Sequence, residues 1–283
     1  MSFVLGVIGG SGIYEIPGLT QVKEQTFETP YGMPSDAIVS GQLGETRLLF
    51  LPRHGRGHRV APHEINFRAN VCALKQMGAT HLVSLSAVGS MKEEIAPGHV
   101  VIVDQFIDLT KRRVSTFFEG GVVAHVGFAD PVCPLLASAL ASAAERAGAQ
   151  VHVGGTYVCM EGPQFSTRAE SKLYRSWGVS VIGMTAMPEA KLAREAELPY
   201  ATMALATDYD CWHETEEDVS VEAILAVLKA NADLAKRTVA ALAGNLPDTS
   251  KSPATGALRY AMISDPKGQS AETTARLSWL IRR

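Results

Sequence analysis

An α/β fold is predicted, a single-domain α/β/α sandwich with a central mixed β-sheet, and three features of the chain predict it. Short apolar runs such as Val4–Ile8, His81–Ser86 and Tyr200–Ala206 have the length and character of strands buried on both faces. Longer stretches, Pro134–Ala147 and Val219–Leu242, repeat apolar residues at helical spacing. The two kinds alternate along the chain, which is the pattern of a sheet layered by helices.

In chain order, Val4–Ile8 is a first interior strand that ends in Gly9-Gly10-Ser11-Gly12. Ala37–Gly41 and Thr46–Leu51 form a hairpin around Leu43-Gly44. Ile65, Ala69, Val71 and Leu74 make a helix of His63–Met77. His81–Ser86 is a strand that stops at a small-residue turn, Ala87-Val88-Gly89-Ser90, and Val100–Val103 is another strand. Val151–Val158 and Val179–Gly183 supply strands between the two long helices. Residues 1–243 are read as one domain. Residues 244–268, rich in Pro, Gly, Ser, Thr and Lys, are read as a linker or flexible arm. Ala271–Arg283 then forms a terminal helix, placed to serve the active site or an interface.

At 283 residues the chain has ample length for a large core, and 46% apolar with 19% charged residues is the balance of a globular protein. A net charge of −3 argues against nucleic acid or an anionic membrane as the main partner. Neither a signal peptide nor a spanning segment is recognisable. Cys72, Cys133, Cys159 and Cys211 are widely spaced in apolar surroundings, as free thiols of a reducing cytoplasm are.

The chemistry gathers at strand ends, where open α/β sheets bind their ligands. Asp208 and Asp210 follow the run ending at Ala206. Two residues apart on an extended segment, they face the same way and could serve one ligand. Beside apolar walls, one carboxyl of such a pair keeps its proton and acts as an acid. A solvated turn is the alternative reading of the same residues. Gly9-Gly10-Ser11-Gly12 offers amides and the Ser11 hydroxyl to an anion. A dinucleotide fingerprint would need a helix directly afterwards, and Pro17-Gly18 leaves no room for one. Arg53 and His54 follow a second strand end and suit phosphate oxygens. His54, His58 and His63 lack the carboxylate or thiol that would complete a metal site. Phe165 and Met184 lie in segments mixing apolar walls with isolated polar groups, which fits a purine and a sugar as well as plain core packing.

Taken together, Gly9-Gly10-Ser11-Gly12, Arg53-His54-Gly55, Asn66-Phe67-Arg68-Ala69-Asn70, Glu161-Gly162-Pro163-Gln164-Phe165-Ser166, Met184-Thr185 and Thr207-Asp208-Tyr209-Asp210-Cys211-Trp212 resemble the trimeric purine nucleoside phosphorylase superfamily, and within it the enzymes acting on S-methyl-5′-thioadenosine. The match runs from Val4 to about Leu242. The resemblance implies the nucleoside phosphorylase fold and phosphate held by Ser11, Arg53, His54, Ser86, Ala87 and Thr185. It implies Phe165 stacked on adenine, with Ser166 beside it, and Met184 along the ribose. Asp208 and Asp210 would be catalytic, reading N7 and the 6-amino group. Val221 and Ile224, with His125 from a neighbouring subunit, would line the methylthio pocket. It further implies a homotrimer that uses inorganic phosphate as co-substrate and no metal or organic cofactor. Asp at both 208 and 210 favours a 6-aminopurine; the alternative is a phosphorylase of 6-oxopurine nucleosides. A nucleotide sensor without catalysis and a hydrolytic nucleosidase are more distant readings.

Overall fold

In the computed structural model, residues 3–10, 13–213, 221–265 and 269–281 are described; side chains of 221–226 and 228 lie outside the description. The strands, in order, are β1 (Val4–Gly9), β2 (Thr20–Gln25), β3 (Ile38–Leu43), β4 (Thr46–Pro52), β5 (His81–Ser90), β6 (Val100–Val103), β7 (Gln105–Asp108), β8 (Val151–Val153), β9 (Thr156–Cys159), β10 (Val181–Gly183) and β11 (Tyr200–Asp208). The helices are α1 (Phe67–Gln76), α2 (Pro134–Arg146), α3 (Arg168–Ser176), α4 (Ala186–Glu195), α5 (Val221–Ala243) and α6 (Ala271–Ile281).

All eleven strands belong to one mixed sheet. β1 runs parallel to both β4 and β5, while β3 and β4 form the expected antiparallel hairpin. β5 is the spine: Leu82-to-Gly89 and β11 run parallel, and Gly89-Ser90 pairs antiparallel with β10. Beyond those partners, β11 pairs with β6, β10 with β9 and β9 with β7. Only Asp104 separates β6 from β7, so the two branches of the sheet that leave β5 are joined there by the chain.

Alternation along the strands sends side chains into two cores. Leu5, Val7, Leu48 and Phe50 join α2 and α5 on one face; Val4, Ile8, Leu49 and Leu51 join α1 and α4 on the other. The three layers expected from the sequence are therefore present.

Several boundaries differ from expectation. Ala87-Val88-Gly89-Ser90 is not a turn but the second half of a ten-residue strand. Its small residues serve close packing: a Cβ on Gly89 would lie 3.0 Å from the Asp208 carboxyl and 3.1 Å from Ile182. Val151–Val158 is two strands, split by Gly154 and Gly155, both with positive φ. The helix expected from His63 starts at Phe67, because the Asn66 side chain caps it by accepting from the Ala69 N–H.

Residues 244–265 are not an exposed arm. Thr249, Ser252, Ala254, Leu258 and Ala261 are buried, and the Leu258 N–H donates to the Glu197 carboxylate. His81 Nε2 donates to the Pro247 carbonyl, 2.9 Å away. α6 buries Leu277 completely and sets Trp279 edge-on against Phe117.

Candidate active site

β5 carries the site along its second half. At one end, Ser84, Leu85 and Ser86 meet Arg53 and the entry to α4; at the other, Gly89 abuts Asp208 and Asp210. Three residues of strand span about 10 Å, at ~3.4 Å each.

At the first end Arg53 is 2% exposed, and its planar fork is largely committed to protein. Nε and Nη2 pair with the Glu189 carboxylate at 3.0 and 3.3 Å; Nη2 also reaches Ser84 Oγ and the Ile8 carbonyl. Nη1 donates to the Leu85 carbonyl, and its second N–H has no partner among the described residues. Glu189 is itself 1% exposed and accepts a further bond from the Tyr200 hydroxyl. Buried charges of this kind persist because they are paired and hydrogen-bonded. Arg53 thus offers one N–H where the sequence suggested a whole fork.

His54 differs too. Its Nδ1 lies 2.8 Å from the Val60 carbonyl, which only accepts, so Nδ1 holds the proton. Burial pushes the imidazole down to about 4, and it is neutral at neutral pH. Its Nε2 therefore presents a lone pair rather than the expected donor. The ring stacks on His58 at 4.3 Å.

Ser86 Oγ sits 3.1 Å from Thr185 Oγ1 and 3.1 Å from the Tyr157 hydroxyl, and both Ser86 and Thr185 are buried. Ala87, between buried neighbours, is exposed, and so marks the crevice mouth. Ser11 lies outside the described residues.

At the second end the two carboxylates come together, although not as two residues of one extended strand. A bulge between Ala206 and Asp208 turns the end of β11, and Asp210 has φ +53°, a left-handed conformation. The Asp210 N–H donates to Asp208 Oδ1 at 2.8 Å, closing a tight turn, and Thr207 Oγ1 donates to Oδ2 at 2.6 Å. Burial raises the pKa of both carboxyls and outweighs the hydrogen bonds that oppose it; on Asp210 the neighbouring Asp208 pushes the same way. This is the environment of a carboxyl that keeps a proton.

The loop between β9 and α3 is fastened beside this pair. Cys211 Sγ donates to the Ser166 carbonyl, and Arg168 donates to the Cys211 carbonyl. Phe165 is half exposed on that loop. The Met184 side chain lies against Gly162, where a Cβ would come within 2.5 Å of its sulfur. The structure thus assembles Arg53, His54, Ser86, Ala87 and Thr185 at one end of the crevice and Ser166, Asp208 and Asp210 at the other. Val221 and Ile224 open α5, but their side chains lie outside the described residues. His125 is exposed on a separate surface, where its N–H donates to the Ala261 carbonyl.

Sequence reasoning missed the supporting residues. Arg113 is buried and donates to the carbonyls of Met160, Glu161, Met184 and Met187, with its Nε on the Glu161 carboxylate. It ties the loop that follows β9 to the segment after β10 that carries Thr185. Glu189 and Tyr157 stand behind the other end. Their only sequence signal was polarity within apolar runs.

Hydroxyl groups beside one part of β5, with a pair of carboxyls whose charged forms burial disfavours three residues further along it, are the arrangement of a nucleoside-cleaving phosphorylase. Residues 4–243 match the family described as the phosphorylase superfamily, and the chain belongs to it. The S-methyl-5′-thioadenosine phosphorylase of Geobacter sulfurreducens is 58% identical to this chain over 282 residues, covering 99% of each. That of Koribacter versatilis is 52% identical, over 99% of this chain and 96% of its own. Among solved structures, a methylthioadenosine phosphorylase from an antarctic soil metagenomic library superimposes with a TM-score of 0.93 at 48% identity, covering 99% of this chain and 100% of its own. An adenosine/methylthioadenosine phosphorylase mutant from Schistosoma mansoni, in complex with adenine, gives 0.87 at 34% identity, covering 92% of this chain and 99% of its own.

Proposed function

We propose that the chain cleaves S-methyl-5′-thioadenosine with inorganic phosphate, giving adenine and 5-methylthioribose 1-phosphate, a step of purine and methionine salvage. The observation that carries this reading is that one strand, β5, borders both the Ser86–Thr185 hydroxyl pair and the Asp208–Asp210 pair. The names of the relatives, at 52–58% identity over nearly the whole chain, point the same way.

The chemistry follows from where charge develops. As the N-glycosidic bond breaks, its electron pair leaves with the purine and the ribose becomes cationic. A phosphate oxygen forms the new bond to C1′, and its negative charge offsets that of the sugar. Asp208, whose burial shifts it towards the protonated form, gives a proton to N7 of the departing adenine. Asp210 accepts from the 6-amino group, an interaction that a 6-oxo group would turn into repulsion. Phosphate is held by Ser11, Ser86, Thr185, the Ala87 main chain and the remaining N–H of Arg53. His54 accepts from a protonated phosphate oxygen. Phe165 stacks on the base, with Ser166 beside it, and Met184 lies along the ribose. No metal or organic cofactor is called for, and inorganic phosphate is the co-substrate.

We assign the working unit as a homotrimer in which His125, Val221 and Ile224 complete the 5′ pocket across a subunit boundary. In support, Ala124 and Met262 form a two-segment bridge that presents Val123, Tyr260, Met262 and Ile263 to solvent around His125. Exposed apolar clusters of this kind mark association surfaces. Ile263→Asp should convert the trimer to monomers in analytical ultracentrifugation and weaken methylthio selectivity; a trimer unaltered by that change contradicts the assignment. Among the described residues no helix is long and apolar enough to cross a membrane. All four cysteines are free, in keeping with a cytoplasmic protein that has neither membrane nor nucleic-acid partner.

A substrate panel tests the reading. With phosphate present, methylthioadenosine should be consumed fastest, adenosine more slowly, and inosine or methylthioinosine slowest. Faster cleavage of either 6-oxopurine nucleoside contradicts the assignment of Asp208 and Asp210.

A further inference from the structure

We propose that Tyr157, on β9, is a positioning residue of the phosphate end, whose hydroxyl sets the direction of the Ser86–Thr185 hydroxyl pair so that its protons face the oxyanion. The inference rests on the phosphorolysis reading and extends it to a residue behind the site.

The argument is one of hydrogen-bond direction. The Tyr157 ring is completely buried, and its oxygen lies 3.1 Å from Ser86 Oγ and 3.5 Å from the Thr185 backbone nitrogen. An N–H only donates, so the phenol oxygen accepts from Thr185; on this proposal the phenol proton is the one shared with Ser86. Ser86 Oγ, occupied as an acceptor, turns its proton outward, to Thr185 Oγ1 or to a ligand. The Thr185 hydroxyl makes no capping bond to its own helix, and Ser86 is its hydrogen-bond neighbour at 3.1 Å. A one-way chain results: Thr185 N–H to Tyr157, Tyr157 O–H to Ser86, Ser86 O–H and Thr185 O–H to the anion. Without Tyr157, Ser86 has a competing acceptor in the Ala87 carbonyl at 3.4 Å, and its rotor is no longer fixed.

Two further observations support the assignment. Burial pushes the phenol up to about 12, so it remains a donor at every working pH. The hydroxyl is also placed at close quarters: a Cβ on Gly183 would lie 1.9 Å from it, so the site keeps glycine there to admit the phenol. The donor matters because the nearby charges cancel. Arg53 is neutralised by Glu189, which leaves neutral O–H and N–H groups to hold most of the phosphate charge.

The test is a double-mutant cycle with phosphate varied. Tyr157→Phe deletes one oxygen and should raise the KM for phosphate about tenfold, in line with one neutral hydrogen bond. The KM for nucleoside and the kcat at saturating phosphate should stay within about twofold. Ser86→Ala should raise the phosphate KM similarly, and the double variant should lose little more than either single one, the signature of a shared interaction. The stabilisation that phosphate gives against thermal unfolding, which does not depend on turnover, should fall in parallel. An unchanged phosphate KM in Tyr157→Phe overturns the proposal, as do fully additive losses or an equal rise in nucleoside KM. If the unsubstituted protein responds to phosphate in neither assay, the phosphorolysis reading falls and the proposal with it.

Discussion

The two ends of the crevice treat charge in opposite ways. At the end that carries Ser86, Arg53 is paired with Glu189, Ser86 lies within hydrogen-bond distance of Thr185 and Tyr157, and all five side chains are buried. At the other end half-buried Asp208 lies beside buried Asp210 with no cation bonded to either among the described residues, and burial raises the pKa of both. The first end is a finished scaffold that need not reorganise when an anion arrives. The second holds two carboxyls whose charged forms burial disfavours. Placing and proton donation are thus separated along about 10 Å of a single strand.

The largest effects should come from removing the proton donor. Asp208→Ala is expected to lose at least ~10²–10³ in kcat while the protein still melts cooperatively, as for other donors aimed at developing charge. Near-normal turnover by that variant would break the contrast between the ends. Asp210→Asn sharpens it: an amide no longer repels a 6-oxo group, so the ratio of inosine to methylthioadenosine cleavage should rise even as overall activity falls.

A comparable loss, of stability rather than chemistry, belongs to the other end. Glu189→Gln leaves Arg53 buried without its counter-ion, which should cost about 3–5 kcal/mol in chemical denaturation. The freed guanidinium would also gain attraction for phosphate, so whatever protein folds should show a lower phosphate KM. Unchanged stability would mean that the pair is not the support described.

The smallest effect is a pH dependence at His54. Its folded pKa of about 4 lies below the ordinary 6.5. Between those values the unfolded chain binds more protons than the folded one, so stability rises with pH there and is lost as pH falls from about 6.5 towards 4. The loss is at most about 3 kcal/mol. His54→Gln should flatten that part of the stability profile in urea titrations; a profile as steep as before assigns the acid sensitivity elsewhere.

What the sequence showed and hid has physical causes. Both cores, the β3–β4 hairpin and the long helices follow from apolar spacing, and Asp208 and Asp210 were visible because paired carboxyls after an apolar run are conspicuous. α4 escaped notice because it is buried nearly all round and contains Pro188, so no amphipathic stripe marks it. α3 buries only Ser171 and Tyr174, and β2 is wholly exposed at the sheet edge, so neither has an apolar face to read. The second half of β5 resembled a turn because its small residues serve the close approach of Asp208. The role of Arg53 was half legible: its place at a strand end was apparent, but its counter-ion lies 136 residues away. Spacing along the chain does not reveal partners that only the sheet brings together.

Phosphorus NMR of a reaction mixture reaches the central claim most directly. Incubated with methylthioadenosine and inorganic phosphate, the protein should yield one sugar 1-phosphate for each adenine released, and no adenine when phosphate is left out. Adenine appearing at the same rate without phosphate, with no sugar phosphate signal, would mean that water is the nucleophile and that the two ends of the crevice do not share one nucleoside.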